Sequence, residues 1–422
     1  MSAALQTGAA SFLARFEGLK QRFPGDALAR EAAAGAFRER GFPGPREEAW
    51  KYTNLRPLSE LTFQEALSPI VDCAPLLARL PKIVGAPRLV FVDGRWRRDL
   101  STMPPRLKIS GFGQTPDFGT LAHPERENFT ALNTMLAEDG AVIRVPENID
   151  GETLVLANLA SDAHGKPFAF HPRHIVRLAR GARLTLIEIA IGEGTYLHNA
   201  VAEVLIAKDA KLAHIRLQDE APRAFHVATI YADIAAGGTY DGFSLNLGAR
   251  LARTEIHARL GGEGGSAHLN GAQLLAGRQH ADFTTVVSHD APSCASRQTV
   301  KNVLAGRSRG VFQGRIEVAR GAQKTDGYQM NQALLLSADA EIDCKPELEI
   351  FADDVKCSHG ATVGELDADQ LFYLRSRGVP EAEARALLVR AFLAEALDPI
   401  ENEAARSVLE QAVESWWERQ AA

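Results

Sequence analysis

Hydrophobic and polar positions fall into three textures along the chain. Between residues 8 and 40 the apolar positions recur at helical spacing. SFLARFEGLKQRF places Phe12, Leu13, Phe16, Leu19 and Phe23 at intervals that predict a helix. ALAREAAAGAFRERG predicts a second helix that stops at Gly41. The next segment, FPGPREEAWKYTNLRPL, is punctuated by Pro and Gly and reads as an ordered loop or turn that packs Trp50 and Tyr52.

From about Arg88 to Thr362 the helical texture vanishes. Short apolar runs alternate with Gly, Asp and Asn. VRLARGARLTLIEI, VLIAKDAKLAHIRL and ADIAAGGTYDGFSL share one shape, with small-residue turns at Gly181-Ala182, Asp209-Ala210 and Gly237-Gly238, 28 residues apart each time. VARGAQKTDGYQM and LLSADAEIDCKPEL repeat the shape at Gly321-Ala322 and Asp339-Ala340, 18 apart. Short strands, tight turns and a near-fixed period without intervening helices point to a stacked-coil β-solenoid. A β-sandwich also gives short strands, but not a repeated turn in constant register.

Helical texture returns from Leu366. LDADQLFYLRSRGV opens with Asp367 and Gln370 at capping-box spacing and closes with Arg375, Arg377 and Gly378. Its run Leu371, Phe372, Tyr373 and Leu374 is apolar on more than one face. Burial within the tail and docking into a partner's groove both account for it. A helix starting at Pro380 is expected to bury Leu387, Leu388, Ala391, Phe392 and Leu397, and a last one spans ENEAARSVLEQAVESWWERQ. The expected organisation is a mainly β protein: an N-terminal helical region (1–85), a solenoid core (86–364) and a C-terminal helical domain (365–422).

Bulk properties narrow the function classes. The 422 residues are 45% hydrophobic and 24% charged, with a net charge of −6, so no basic excess favours a nucleic-acid partner. The N-terminus lacks a basic start followed by an apolar run, and no window of about 18 apolar residues occurs, so neither a signal peptide nor a membrane span is expected. Cytoplasmic localisation with reduced thiols is the resulting expectation. Cys73, Cys294, Cys344 and Cys357 are widely spaced and form no CxxC pair, which excludes a disulfide framework and a self-contained zinc or four-cysteine cluster site. No P-loop, G-x-S-x-G or H-E-x-x-H pattern is present. GGEGGSA (261–267) matches G-x-G-x-x-A, but its flanks read as strands, so it is no dinucleotide fingerprint.

The densest candidate chemistry lies in ELEIFADDVKCSHGATVG, residues 347–364. Cys357 and His359 are two apart, so on a strand they share a face, and both are good ligands for iron or zinc. Two ligands do not complete a site; the rest must come from another coil or another chain. A buried cysteine beside a surface histidine is the plainer alternative. Asp353 and Asp354 read as a turn. His257, His268, His280 and His289 show no pairing and are expected to be structural or exposed. Cys344 could lie near Cys357 across the stack, and Cys294 stays unassigned.

The stretch from Gln313 to Val379, QGRIEVARGAQKTDGYQMNQALLLSADAEIDCKPELEIFADDVKCSHGATVGELDADQLFYLRSRGV, resembles the SufB/SufD family of iron–sulfur cluster assembly proteins, as does PREEAWKYTNL (45–55). The resemblance is densest from Gly306 to Pro380. It lies on the SufD side: SufB-like chains carry an acidic-His-acidic element where this chain has CSHGA, and tend to have a cysteine where it has Leu374. The resemblance implies a right-handed parallel β-helix flanked by helical domains. It implies a scaffold without turnover of its own, paired with SufB through the β-helix and with SufC, an ABC-type ATPase, through the C-terminal helices, where Leu371, Phe372, Tyr373, Arg375 and Arg377 are the expected contacts. It places His359, and second Cys357, at the SufB–SufD interface as ligands of a nascent iron–sulfur cluster shared with SufB. It also raises a reduced flavin at the level of the complex, and a homodimer of the isolated chain. A polysaccharide-acting β-helix enzyme and a stand-alone homodimeric metal carrier are the alternatives.

Overall fold

Six corner residues set the shape of the molecule. In a computed structural model describing residues 3–66, 72–114 and 119–421, Gly181, Asp209, Gly237, Gly264, Ser293 and Lys324 all have left-handed φ, between +58° and +72°. Each donates its N–H to a carbonyl one coil on, from Gly181 to Lys208 (3.0 Å) through to Lys324 and Asp354 (2.6 Å). Glycine bears this conformation freely, and Asp tolerates it by local hydrogen bonding. At Gly237 a Cβ would also lie 2.4 Å from Asp209 Oδ1, so that carboxylate would have to turn away.

The strands between corners stack into two parallel sheets. One contains Arg173–Leu178, Tyr196–Ile206, Phe225–Ile234, Leu251–Leu260, His280–His289, Arg309–Val318 and Glu341–Ile350. The other contains Arg183–Gly192, Lys211–Asp219, Thr239–Asn246, Ser266–Leu275, Ala295–Leu304, Thr325–Leu335 and Val355–Gly364. Strands alternate between the sheets along the chain, so each coil gives one strand to each. The architecture is the expected parallel β-solenoid. Early in the stack the register advances by 28, as in Leu197 against Phe225 and Lys211 against Thr239. The 18-residue spacing has another origin. Ala322 closes the corner between Arg309–Val318 and Thr325–Leu335, whereas Ala340 closes the opposite corner before Glu341–Ile350. The same small-residue turn serves both corners, so that interval crosses one strand, half a coil, instead of measuring a period.

Inward side chains such as Leu154, Leu186, Ile206, Leu212, Ile234 and Leu269 form the core between the sheets. Helices cover both outer faces. The predicted N-terminal helices, Ala3–Leu19 and Ala27–Arg40, pack Phe12, Phe16 and Phe37 with Phe63 and Phe129 over Leu197, Phe225 and Leu251. Gly41 ends the second helix with φ +63° and its N–H on Phe37 O (2.7 Å). Trp50 is buried, stacked on Phe129 (5.2 Å between ring centres) and under the Arg253 guanidinium (4.1 Å). One covering element contradicts the sequence reading: Asn128–Leu136 is a helix inside the stretch expected to lack them. All nine of its residues are buried, the polar Asn128, Thr130, Asn133 and Thr134 among them, so it lacks the solvent-facing polar stripe that reveals a surface helix.

On the other sheet, Glu381–Leu397 and Glu403–Ala421 lay Val389, Leu393, Val408, Leu409 and Trp416 against Ile189, Ile215, Phe243, Leu245 and Val303. The buried face of the first is Ala386, Val389, Leu393, Ala396 and Leu397. The expected face was displaced: Leu387 and Ala391 are exposed, and Phe392 sits at the edge under the Lys301 ammonium (4.6 Å). In this helix Ala, Leu, Val and Phe fall on every side of the axis among the charged residues, so several faces compete, and the sheet selects one. No helix among the described residues is long and apolar enough to cross a membrane.

Candidate functional site

The last coil consists of Glu341–Ile350 and Val355–Gly364. Each pairs with the preceding coil on one side, and neither has a strand on the other. Cys357 registers with Gly327 and His359 with Gln329. The two share a strand face, as their spacing requires. Cys357 is half-buried, packed with Leu348 and Val355 against Ile316, and its Sγ lies 3.3 Å from where a Cβ on residue 327 would sit. His359 is exposed. Burial pushes the Cys357 thiol up, so it is held as the neutral form rather than the metal-binding thiolate. In register with His359, Gln329 is fully buried, and its side-chain O and N have no hydrogen-bond partner among the described residues. Asp353 and Asp354 form the bend expected of them.

Cys344 lies in the same coil on the other sheet. Its sulfur accepts from Asn331 Nδ2 (2.7 Å), and burial pushes its thiol up to about 11. Cys294 lies at a corner and donates its S–H to Gly262 O (3.2 Å). Among the described residues, His, Cys, Asp and Glu side chains come together in threes elsewhere, not around Cys357 and His359. The pair therefore offers one exposed imidazole and one thiol, and among the described residues nothing completes a site for an ion held there.

After this coil the helix Ala368–Ser376 projects from the body. Asp367 caps it by accepting from Asp369 N and Gln370 N (both 2.9 Å), and Gly378 ends it at φ +89°. No residue of this helix is buried; Phe372 is 73% and Tyr373 58% exposed. Burial within the tail therefore does not account for the apolar run. Arg377 stacks on Tyr373 (5.3 Å), and Arg375 pairs with Glu381 (3.4 Å). Ile350, Phe351 and Val363 of the last coil are exposed as well.

Comparison with known proteins supplies the lineage. Residues 159–392 match the family model described as SUF system FeS cluster assembly, SufBD core domain. The iron–sulfur cluster assembly protein SufD of Escherichia coli is 34% identical over 371 residues, 86% of each chain. The chain belongs to the SufB/SufD family of iron–sulfur cluster assembly proteins. A SufBD family protein of Synechocystis is 31% identical over 405 residues (91% of this chain, 89% of that one), and Protein ABCI7, chloroplastic, of Arabidopsis thaliana is 33% identical over 332 residues (76% and 68%).

Two side-chain clusters in this family member escaped the sequence reading. His257, expected to stand alone, lies 3.1 Å from Glu255 and 4.0 Å from Glu127. Arg253 also pairs with Glu255 (3.0 Å) and with Asp282, so this cluster is internally compensated. Burial and the Glu255 charge push the Glu127 carboxyl up to about 7, whereas Glu255, despite its burial, is held down to about 2, chiefly by Arg253 and then His257. His280 is structural, 3.0 Å from Thr53 Oγ1 of the N-terminal segment. The second cluster joins His198, Glu220 and His226 inside the solenoid. Its signal was available, since His198 and His226 are separated by the 28-residue period and register directly.

Proposed function

We propose that this chain is a SufD-type scaffold subunit that pairs with a SufB partner through its last coil and with a SufC ATPase through its C-terminal helical region. The observation that carries the reading is the half-site: Cys357 and His359 share one face of a terminal strand, with no third ligand among the described residues. In this reading SufB cysteine and acidic ligands complete the site, and iron and sulfide are the cargo assembled there. His359 is the ligand, because its imidazole is exposed and a neutral ring nitrogen is a good donor to iron. Cys357 is secondary, since its packing favours the thiol. Exposed Phe372 and Tyr373, with Leu371, Arg375 and Arg377 on the same helix, form the SufC contact. ATP-driven SufC dimerisation would pull on this tail and reshape the SufB–SufD interface.

The test is anaerobic iron and acid-labile sulfide content of the chain co-expressed with its cognate SufB and SufC, compared with His359→Ala at equal complex yield. Loss of iron and sulfide from an intact complex is expected. Unchanged content would move the site wholly onto SufB. Failure to form a complex with either protein would overturn the scaffold reading itself.

A further inference from the structure

The solenoid interior is apolar beside the first set of corners and turns polar toward the second. His198 and His226 point inward from adjacent parallel strands and register with each other. Glu220 follows the strand Lys211–Asp219 of the opposite sheet. Its Oε1 lies 3.0 Å from His198 Nδ1 and its Oε2 2.6 Å from His226 Nδ1. The three side chains are 0%, 1% and 1% exposed. The imidazole rings meet edge to face, 4.8 Å between centres. Among the described residues neither Nε2 has a hydrogen-bond partner.

The charge count at this place is uneven. The other interior carboxylate, Glu188, is matched by Arg216 at 3.0 Å. Around Glu220 there are two imidazoles and the Gln218 amide, which donates to Oε2 (3.0 Å); no lysine or arginine among the described residues bonds to its carboxylate. A buried carboxylate is stable only when paired or coordinated to a cation. Glu220 also lines a cleft of ≈1430 Å³ at the second corners, bordered by Arg223, Arg250 and Gln279, and the two histidines lie buried behind it.

We propose that His198, Glu220 and His226 form a binding site for a divalent first-row transition-metal ion, entered from this cleft. One nitrogen from each ring and one carboxylate oxygen lie within 4.8 Å of one another. Tetrahedral ligands at about 2.0–2.2 Å from an ion stand roughly 3.3 Å apart, so side-chain adjustments of about 1 Å suffice. Two imidazoles and one carboxylate form a donor set for iron(II) or zinc(II), with a further position open. The site is independent of the half-site on the last coil and of the scaffold reading.

The test uses the purified full chain after chelation, titrated anaerobically with Fe²⁺ and separately with Zn²⁺. Bound metal per chain is measured after desalting, together with the shift in thermal midpoint. About one equivalent that raises the midpoint is expected, retained in a Cys357→Ser/His359→Ala double variant and lost in Glu220→Gln. His226→Asn provides a second probe should Glu220→Gln not fold. No tight equivalent of either metal in the wild type, loss in the double variant, or retention in folded Glu220→Gln or His226→Asn would overturn the proposal.

Discussion

Substitution of Phe372 by Asp should separate partner binding from folding. Phe372 is 73% exposed on a helix that buries none of its residues. A Phe side chain carries roughly 200 Å² of surface, so about 150 Å² is available to a partner. At about 25 cal/mol per Å², full burial is worth about 3–4 kcal/mol. Placing a carboxylate there removes this term and adds a desolvation penalty. A loss of at least about 2 kcal/mol in SufC affinity is expected, the range of an interface hot spot and about 30-fold in Kd. The free chain should not register the change, since exposed substitutions shift stability by about 0.5 kcal/mol or less. Calorimetric titration of SufC into the chain, paired with a thermal unfolding scan, reads both quantities. A Kd within about threefold of wild type, at unchanged unfolding midpoint, would refute the assignment of this helix as the SufC contact.

Three further perturbations probe the fold. Leu393→Ala, at a side chain 1% exposed between the C-terminal helix and the sheet, should cost about 2–5 kcal/mol, seen as a lower denaturant midpoint; a loss below about 1 kcal/mol would mean the helix is not anchored there. Arg253→Met strips the counter-charge from buried Asp282 and Glu255 and the stack on Trp50, and about 3–5 kcal/mol should be lost; unchanged thermal stability would contradict the network. Glu127 titrates near 7 in the folded chain, above its ordinary value of 4.5, so folding favours its protonated form and it costs stability as pH rises from about 4.5 through 7. Glu127→Gln should therefore gain in unfolding midpoint over wild type at pH 8 relative to pH 5, and an equal difference at both pH values would refute the shift.

The solenoid was legible because its corners impose a backbone requirement. Left-handed positions at Gly181, Asp209 and Gly237 demand small or Asx residues, and stacking demands a constant interval. The same chemistry at both sets of corners made Asp339-Ala340 look like a continuation of the first. Tail helices were legible through their caps at Asp367 and Gly378, but the buried face of Glu381–Leu397 was not, because a helix with apolar residues on every side takes its orientation from what covers it. The pairing of Cys357 with His359 needed only the two-residue alternation of a strand. The His198–Glu220–His226 cluster needed the coil register and the opposite sheet together, and neither a motif nor a local period encodes both.

The position of the half-site follows from how the fold closes everywhere else. Each inner coil satisfies its backbone against two neighbours, and helices cover the outer faces of both sheets over much of the stack. Among the described residues the last coil presents two ten-residue strands without an outer neighbour, and Ile350, Phe351 and Val363 in it stay exposed. A free edge of this length is costly to leave bare and is a template for strand addition. A strand added beyond Val355–Gly364 would sit about 4.8 Å away and place side chains opposite His359 with Cβ atoms roughly 5 Å apart. At that separation two chains can supply ligands to one small inorganic centre. Under the proposed scaffold reading, pairing of the free edge and completion of the metal site are one event. A partner variant that blocks the edge should thus abolish cluster formation even with every ligand residue intact, whereas His359→Ala should abolish the cluster and leave the pairing.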